Sequence, residues 1–265
     1  MNARVLFKYW RAILVVAEMT IRQQLMDMFI LFAVLFQPII IAVLALWMLM
    51  DKGEQYAIFV VVGSGLTGLW SSLLFVSGNS IGAERWSGTL ESLVAAPIPF
   101  EVIVFGKNLA NVVQSLMSMV TGYLAAALLF GYSLTIQNPL LFAVSLFLTI
   151  IAFICFGLLI APVFVMNPGV RQWQNAMEFP VYILCGFLFP IALLAEWARP
   201  ISYILPPYWA ARALHGTSSG GVATNEVYLA WGMMILFSII DLLIASRLFK
   251  VMLYKARADA TLALE

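Results

Sequence analysis

The sequence predicts an all-α integral membrane protein with six transmembrane helices, and three observations carry that reading. Hydrophobic residues make up 63% of the 265 positions and charged ones only 10%, whereas charges average about a quarter of a globular chain. Apolar runs long enough to span a bilayer recur along the chain, separated by short polar segments. Lysine and arginine concentrate in alternate segments between those runs, as a multi-pass topology requires. Around the spans the pattern adds an amphipathic N-terminal helix over 1–26, a polar helix after the second span, short helices between the last two spans, and a tail over 248–265.

The N-terminal helix is read from spacing. Arg4, Lys8, Arg11, Glu18 and Arg22 follow a three- or four-residue spacing broken only by Val15, while Leu6, Tyr9, Trp10, Ile13, Ala17 and Ile21 take the opposing side. A basic face against an aromatic and aliphatic one suits a helix lying in the headgroup layer. Its dispersed charges do not read as a cleavable signal peptide.

Six spans follow over 27–50, 56–78, 105–132, 139–166, 176–195 and 227–247, within a membrane domain covering 27–247. The first has Pro38 inside it and reaches about 36 Å at 1.5 Å per residue, enough for the hydrocarbon core. With the N-terminus inside, eleven of the fourteen Lys and Arg residues fall on the inner side, and only Lys52, Arg199 and Arg212 fall outside. Both termini and the segment 80–107 are then cytoplasmic.

Segment 80–107 is the one long polar-bearing interruption on the inner side. Over 80–96 it predicts a short amphipathic helix ended by Pro97 and Pro99. Trp86, Leu90, Leu93 and Val94 form one stripe, with Glu84, Ser87, Gly88 and Glu91 on another face. Read from the pattern alone, it is either a helix that offers two carboxylates and a bare glycine to a soluble partner, or a solvated loop. Glu84-Arg85, Gly88-Thr89-Leu90-Glu91, Pro97 and Gly106-Lys107, in that order, resemble the segment between the second and third membrane helices of ABC-2 type transporter permeases. The resemblance spans the chain but is specific mainly here. It implies that this segment is a coupling helix docking on an ATPase subunit, with Glu84, Arg85, Ser87, Gly88, Thr89 and Glu91 at the interface.

The external segment 196–226 is long and aromatic, with Trp197, Tyr203, Tyr208 and Trp209 among Pro200, Pro206 and Pro207. Two short half-helices dipping back toward the bilayer explain it, their rings favouring the interface, with Pro206-Pro207 at the turn between them. A loop packed on the helix tips is the alternative. Gly216 to Gly221 is expected to be a hinge or turn, and His215 an external loop residue. The resemblance implies that these helices help to close the outer side of a transport pathway.

Several motif strings lose their meaning in this setting. Gly63-Ser64-Gly65-Leu66-Thr67-Gly68 satisfies a dinucleotide fingerprint but lies inside a span, where small residues serve helix packing. Gly216-Thr217-Ser218-Ser219-Gly220 satisfies a hydrolase elbow, yet the single histidine adjoins it upstream and no α/β domain surrounds it. Cys155 and Cys185 have no metal or redox spacing. No phosphate-binding loop of the usual kind occurs, so ATP-driven work needs a second polypeptide.

Ionisable residues inside spans, Asp27, Glu178 and Asp241, are functional candidates or carboxylates snorkelling to the interface, with Arg171 and Arg247 near the inner helix ends. Asn111, Gln114 and Ser118 share a face of the third span and either line a pathway or bond across helices. These three and Glu178 are the candidate pathway residues.

The reading that results is the permease subunit of an ATP-binding-cassette exporter. It carries a drug-like or lipidic cargo out of the cytoplasm or inner leaflet of a bacterial inner membrane. Exported polysaccharide is the alternative within the family, and a lipid-modifying membrane enzyme the alternative outside it, though the clustered carboxylates, His or metal ligands such an enzyme needs are not seen. The chain itself is expected to be no enzyme and to bind no cofactor or metal, with ATP and Mg on two copies of a partner ATPase. The resemblance further implies a second permease copy or a similar permease. Lipids are expected partners, and nucleic acid is not, since no basic patch accompanies the net charge of +1.

Overall fold

A computed structural model describes residues 3–32, 36–48, 54–77, 81–82, 84, 87–89, 92–93, 95–131, 135–166, 169, 171–220 and 222–258. Helices α1 (Ala3–Gln24), α2 (Met28–Leu31), α3 (Gln37–Met48) and α4 (Glu54–Ser71) come first, and α4 continues as π-helix over Ser72–Ser77. After the polar segment come α5 (Phe100–Phe130), α6 (Pro139–Met166) and α7 (Arg171–Leu184). A 3-10 turn at Ile191–Leu193 leads to α8 (Arg199–Ile204), α9 (Pro206–Ser219) and α10 (Thr224–Ala258). No strand occurs among the described residues.

Four of the described helices are long and apolar enough to cross a membrane: Ala57–Ser77, Phe100–Phe130, Pro139–Met166 and Thr224–Tyr254. The expected span at 176–195 is not a continuous helix of that length, while within 27–50 the residues 33–35, 49 and 50 lie outside the described ones. Pro38 is the second residue of α3, which has 12 residues. The chain leaves α7 after 14 residues through a left-handed Gly186, with φ of 67°, and reaches Pro190 extended. At 1.5 Å per residue α7 reaches only about 21 Å, short of a hydrocarbon core of about 30 Å.

Boundaries elsewhere follow from caps that apolarity alone does not reveal. α5 begins directly after Pro99, with Glu101 in its first turn, and ends at a left-handed Gly131 whose N–H bonds Ala126 O. α10 continues well beyond the expected 247 into the basic tail.

The core lies where α4, α6, α9 and α10 meet. Trp70, Leu66, Phe187, Leu214, Met234 and Phe249 are all fully buried there. α6 runs along α10, and α9 is wedged against α4, α6 and α10. The stretch Gly63 to Gly68 is a packing surface: a Cβ on Gly63 would strike Phe187 O and one on Gly65 would strike Met119. That is the role small residues play between membrane helices. On the other side α5 packs against α3, α4 and α1. The apolar side of α1 divides its work, with Ala17 buried toward α5 while Phe7, Trp10 and Leu14 stay exposed.

Candidate functional site

The polar segment is built around a glycine turn. Gly88 has a φ of 69°, and Thr89 N–H donates to Glu84 O at 3.0 Å, the pairing that terminates a helical turn. A second turn follows, with Leu93 N–H to Thr89 O at 3.1 Å and Ala96 N–H to Leu93 O at 3.3 Å. The expected single helix over 80–96 is therefore broken at Gly88, because a left-handed residue cannot sit inside a right-handed helix.

Of the residues in this segment, Ser87, Gly88 and Thr89 are exposed, and a Cβ on Gly88 would meet nothing within 4 Å. Glu84 turns inward instead. Its carboxylate takes hydrogen bonds from the Lys107 ammonium and the Thr89 hydroxyl, and the side chains of Lys107 and Glu84 are 14% and 19% exposed. Burial pushes the Glu84 carboxyl up, but the hydrogen bonds from Lys107 and Thr89 and the Lys107 charge outweigh it and hold it below its ordinary value. Arg85 and Glu91 lie outside the described residues, as does Trp86.

This turn is fastened to α1 and α5. Lys8 Nζ of α1 donates to Pro97 O at 3.3 Å. Gly106 of α5 admits the α1 backbone, since a Cβ there would lie 2.9 Å from Ile13 O. At the far end of α1 the buried Gln24 amide lies 2.5 Å from the Asn111 amide, which lies 2.8 Å from Ser77 Oγ in the π-helical turn. Asn111 thus joins three elements. Gln114 and Ser118 are also buried on α5, and the Ser118 hydroxyl bonds back to Ser115 O of its own helix.

Glu178 of α7 is placed apart from these residues. It is 5% exposed, and its Oε1 accepts hydrogen bonds from Gln37 Nε2 at 3.0 Å, Ser71 Oγ at 2.8 Å and Tyr182 Oη at 2.7 Å. The carboxylate thereby links α3, α4 and α7. Asp241 is buried on α10, and its Oδ2 has no hydrogen-bond partner among the described residues.

The segment between α7 and α10 holds two short helices, separated at Leu205 with Pro206 and Pro207 in the first turn of α9. Several expectations here are corrected. Trp209 is 6% exposed, with Nε1–H donating to Tyr203 O at 3.0 Å, so it lies in the protein core rather than at the headgroups, whereas Trp197 is 77% exposed. His215 is no loop residue: its ring is buried in α9, stacked on Phe59 at 3.6 Å, with Nε2 3.0 Å from Phe187 O. Residues 216–219 are helical, so the expected hinge reduces to the left-handed Gly220 that caps α9. The amides of Gln137 and Asn138 satisfy the last carbonyls of α9, at Ser218 and Thr217.

The family model of the ABC-2 type transporter matches residues 11–217, most of the chain. The chain belongs to the ABC-2 type transporter family. No curated protein matches it. As an ABC-2 membrane component it is the permease of an ABC transporter and a multi-pass membrane protein. Membrane components of this family are generally non-enzymatic, and they typically work with an ABC ATPase, often as dimers.

For this ABC-2 permease, sequence spacing found Glu84, Asn111 and Glu178 but not the partners that define their settings. Lys107, Gln24, Ser77, Ser71 and Gln37 are each distant in sequence from the residue they contact. Tyr182 was within reach, lying four residues after Glu178 on the same helix face. Among the described residues no cluster of His, Cys, Asp or Glu has the geometry of a metal site.

Proposed function

We propose that this permease exports a drug-like or lipidic substrate from the cytoplasm or inner leaflet, driven by a separate ATPase that docks on the coupling segment 80–107. The observation that carries this reading is the exposed turn Ser87-Gly88-Thr89, whose base is fixed to α5 by the Glu84–Lys107 pair. A docked partner pushing on that turn would move α5 directly. It would also move α1, through Lys8 and Gly106.

In this reading α1 lies in the inner headgroup layer, both termini are cytoplasmic, and the membrane is a bacterial inner membrane. The chain crosses six times, with α2–α3 and α7 supplying the two shorter crossings. Helices α8 and α9 fold back to close the outer end. Two copies, or one copy and a similar permease, enclose the pathway above two ATPase chains that bind ATP and Mg. Asn111, Gln114, Ser118 and Glu178 belong to that pathway.

Co-reconstitution with the cognate P-loop ATPase tests the docking step. Ser87→Trp places a bulky ring on the exposed turn without touching the backbone requirement of Gly88. It should leave the permease in the membrane and abolish cargo-stimulated ATP hydrolysis. Normal stimulation with that variant would remove the coupling role.

A further inference from the structure

Tyr208, Ala211, Arg212 and His215 follow three- and four-residue spacing, so they share one face of α9. Ala211 is small and stands between the rings of Tyr208 and His215, which leaves a notch in that face. Opposite it runs the turn that follows α7. Gly186, with φ of 67°, folds that turn tightly, since a Cβ there would lie 2.8 Å from Ile191 Cγ2. Notch and turn enclose a half-open cavity of about 220 Å³, walled on the turn side by Cys185 and residues 190–192 and on α4 by Phe59.

The chemistry of the cavity is narrow. Phe59 and His215 stack at 3.6 Å between ring centroids, and Tyr208, Pro190 and Ile191 add apolar surface. An apolar cavity of about 150 Å³ is enough to hold benzene, so this one has room for a ring with a short substituent. Its charged lining group is Arg212, which donates to the Tyr208 hydroxyl and, through Nη2, to Glu226 Oε2 at 2.9 Å. Glu226 thus offsets the charge, and an incoming carboxylate would give up its water for little net attraction. The guanidinium keeps N–H groups that these two bonds do not use, and its Nε–H has no acceptor among the described residues. A carbonyl oxygen suits that remainder, because it accepts a hydrogen bond without displacing Glu226.

We infer that this cavity binds an uncharged aromatic carbonyl compound, with the ring against Phe59, Tyr208 and His215 and the carbonyl oxygen on the Arg212 guanidinium. The site lies beside α9, in the segment that the export reading uses to close the outer end, but binding as such does not depend on that reading.

The test uses the full-length permease alone in phosphatidylcholine nanodiscs, with protein-free nanodiscs as the partition blank. Three probes share one shape: acetophenone carries a neutral carbonyl, benzoate a carboxylate, and isopropenylbenzene no acceptor oxygen. Acetophenone should bind saturably in saturation-transfer NMR, and isopropenylbenzene at least about tenfold more weakly, the scale of a hydrogen bond to a charged group. Benzoate should show no saturable binding to wild type. Glu226→Gln leaves the Arg212 charge without its counterion and should admit benzoate. Ala192→Trp, at an exposed position of the cavity wall, should fill the mouth and abolish acetophenone binding. The three probes on the wild-type protein carry the test if either variant does not stay monodisperse. Absence of saturable acetophenone binding, equal binding of acetophenone and isopropenylbenzene, or wild-type affinity in Ala192→Trp would each overturn the inference. So would benzoate binding to wild type as tightly as acetophenone, or its continued exclusion by a folded Glu226→Gln protein. Because no ATPase is present, failure here leaves the docking reading standing, and failure to dock an ATPase leaves the binding result readable.

Discussion

Gly106 of α5 and Ile13 of α1 are in backbone contact: a Cβ on Gly106 would lie 2.9 Å from the Ile13 carbonyl oxygen and 3.0 Å from Val16 Cβ. This approach is what lets an amphipathic helix lie flat on a membrane span one residue before Lys107 reaches Glu84. Gly106→Val should therefore separate the helices and cost about 1–3 kcal/mol, the range for overpacking. Gly232→Ala in α10, where an added Cβ meets nothing within 4 Å, should be neutral or stabilising. Thermal unfolding of the two purified variants checks the contrast, and equal melting temperatures would mean that the contact carries no energy.

The Glu84–Lys107 pair sets a pH dependence with a definite sign. Glu84 is held below its ordinary 4.5 in the folded chain, by hydrogen bonds that outweigh the opposing effect of burial. A carboxylate depressed on folding stabilises the fold above its unfolded value and loses that contribution as pH falls through the folded value. Glu84→Gln should melt below wild type at neutral pH, with the gap closing as the pH drops below 4.5. A gap independent of pH would mean that the charge on Glu84 plays no part.

Gly88 makes a backbone prediction that sterics do not confuse. Its φ of 69° is costly for an L-residue, while no neighbour lies within 4 Å of an added Cβ. Gly88→Ala should destabilise by roughly 1 kcal/mol, and Gly88→Asn by less, because asparagine tolerates the left-handed region. Similar melting temperatures for alanine and asparagine would argue against that turn.

The two tryptophans of the outer segment should behave differently in single-tryptophan proteins reconstituted in lipid. Trp209, buried and bonded to Tyr203 O, should resist both aqueous iodide and lipid-borne quenchers. Trp197, at 77% exposure, should respond to quenchers at headgroup depth. Equal quenching of both would place α9 outside the core. Trp209→Ala should cost about 3–5 kcal/mol, as large buried aromatics do.

What the sequence determined by itself rests on composition and period. The apolar runs, the spacing of Lys and Arg, and the order of Glu84, Gly88, Pro97 and Gly106 are local properties, and they were enough for the all-helical class, the membrane setting and the family. Local pattern also placed Glu178 within an apolar helix. Tertiary structure decided everything that depends on a second segment. Hydropathy cannot tell a lipid-facing ring from a ring packed on protein, so Trp209 and His215 were placed outside while α9 in fact fills the core. Helical spacing carried one continuous face across Gly88, whereas the left-handed φ that breaks it is held by the Thr89–Glu84 backbone bond. Lys107 on Glu84, Gln24 on Asn111 and Gln37 on Glu178 come from helices 23, 87 and 141 residues away in the chain. Such pairings depend on how the helices pack, and a one-dimensional pattern has no term for the distance between two faces that meet only after folding.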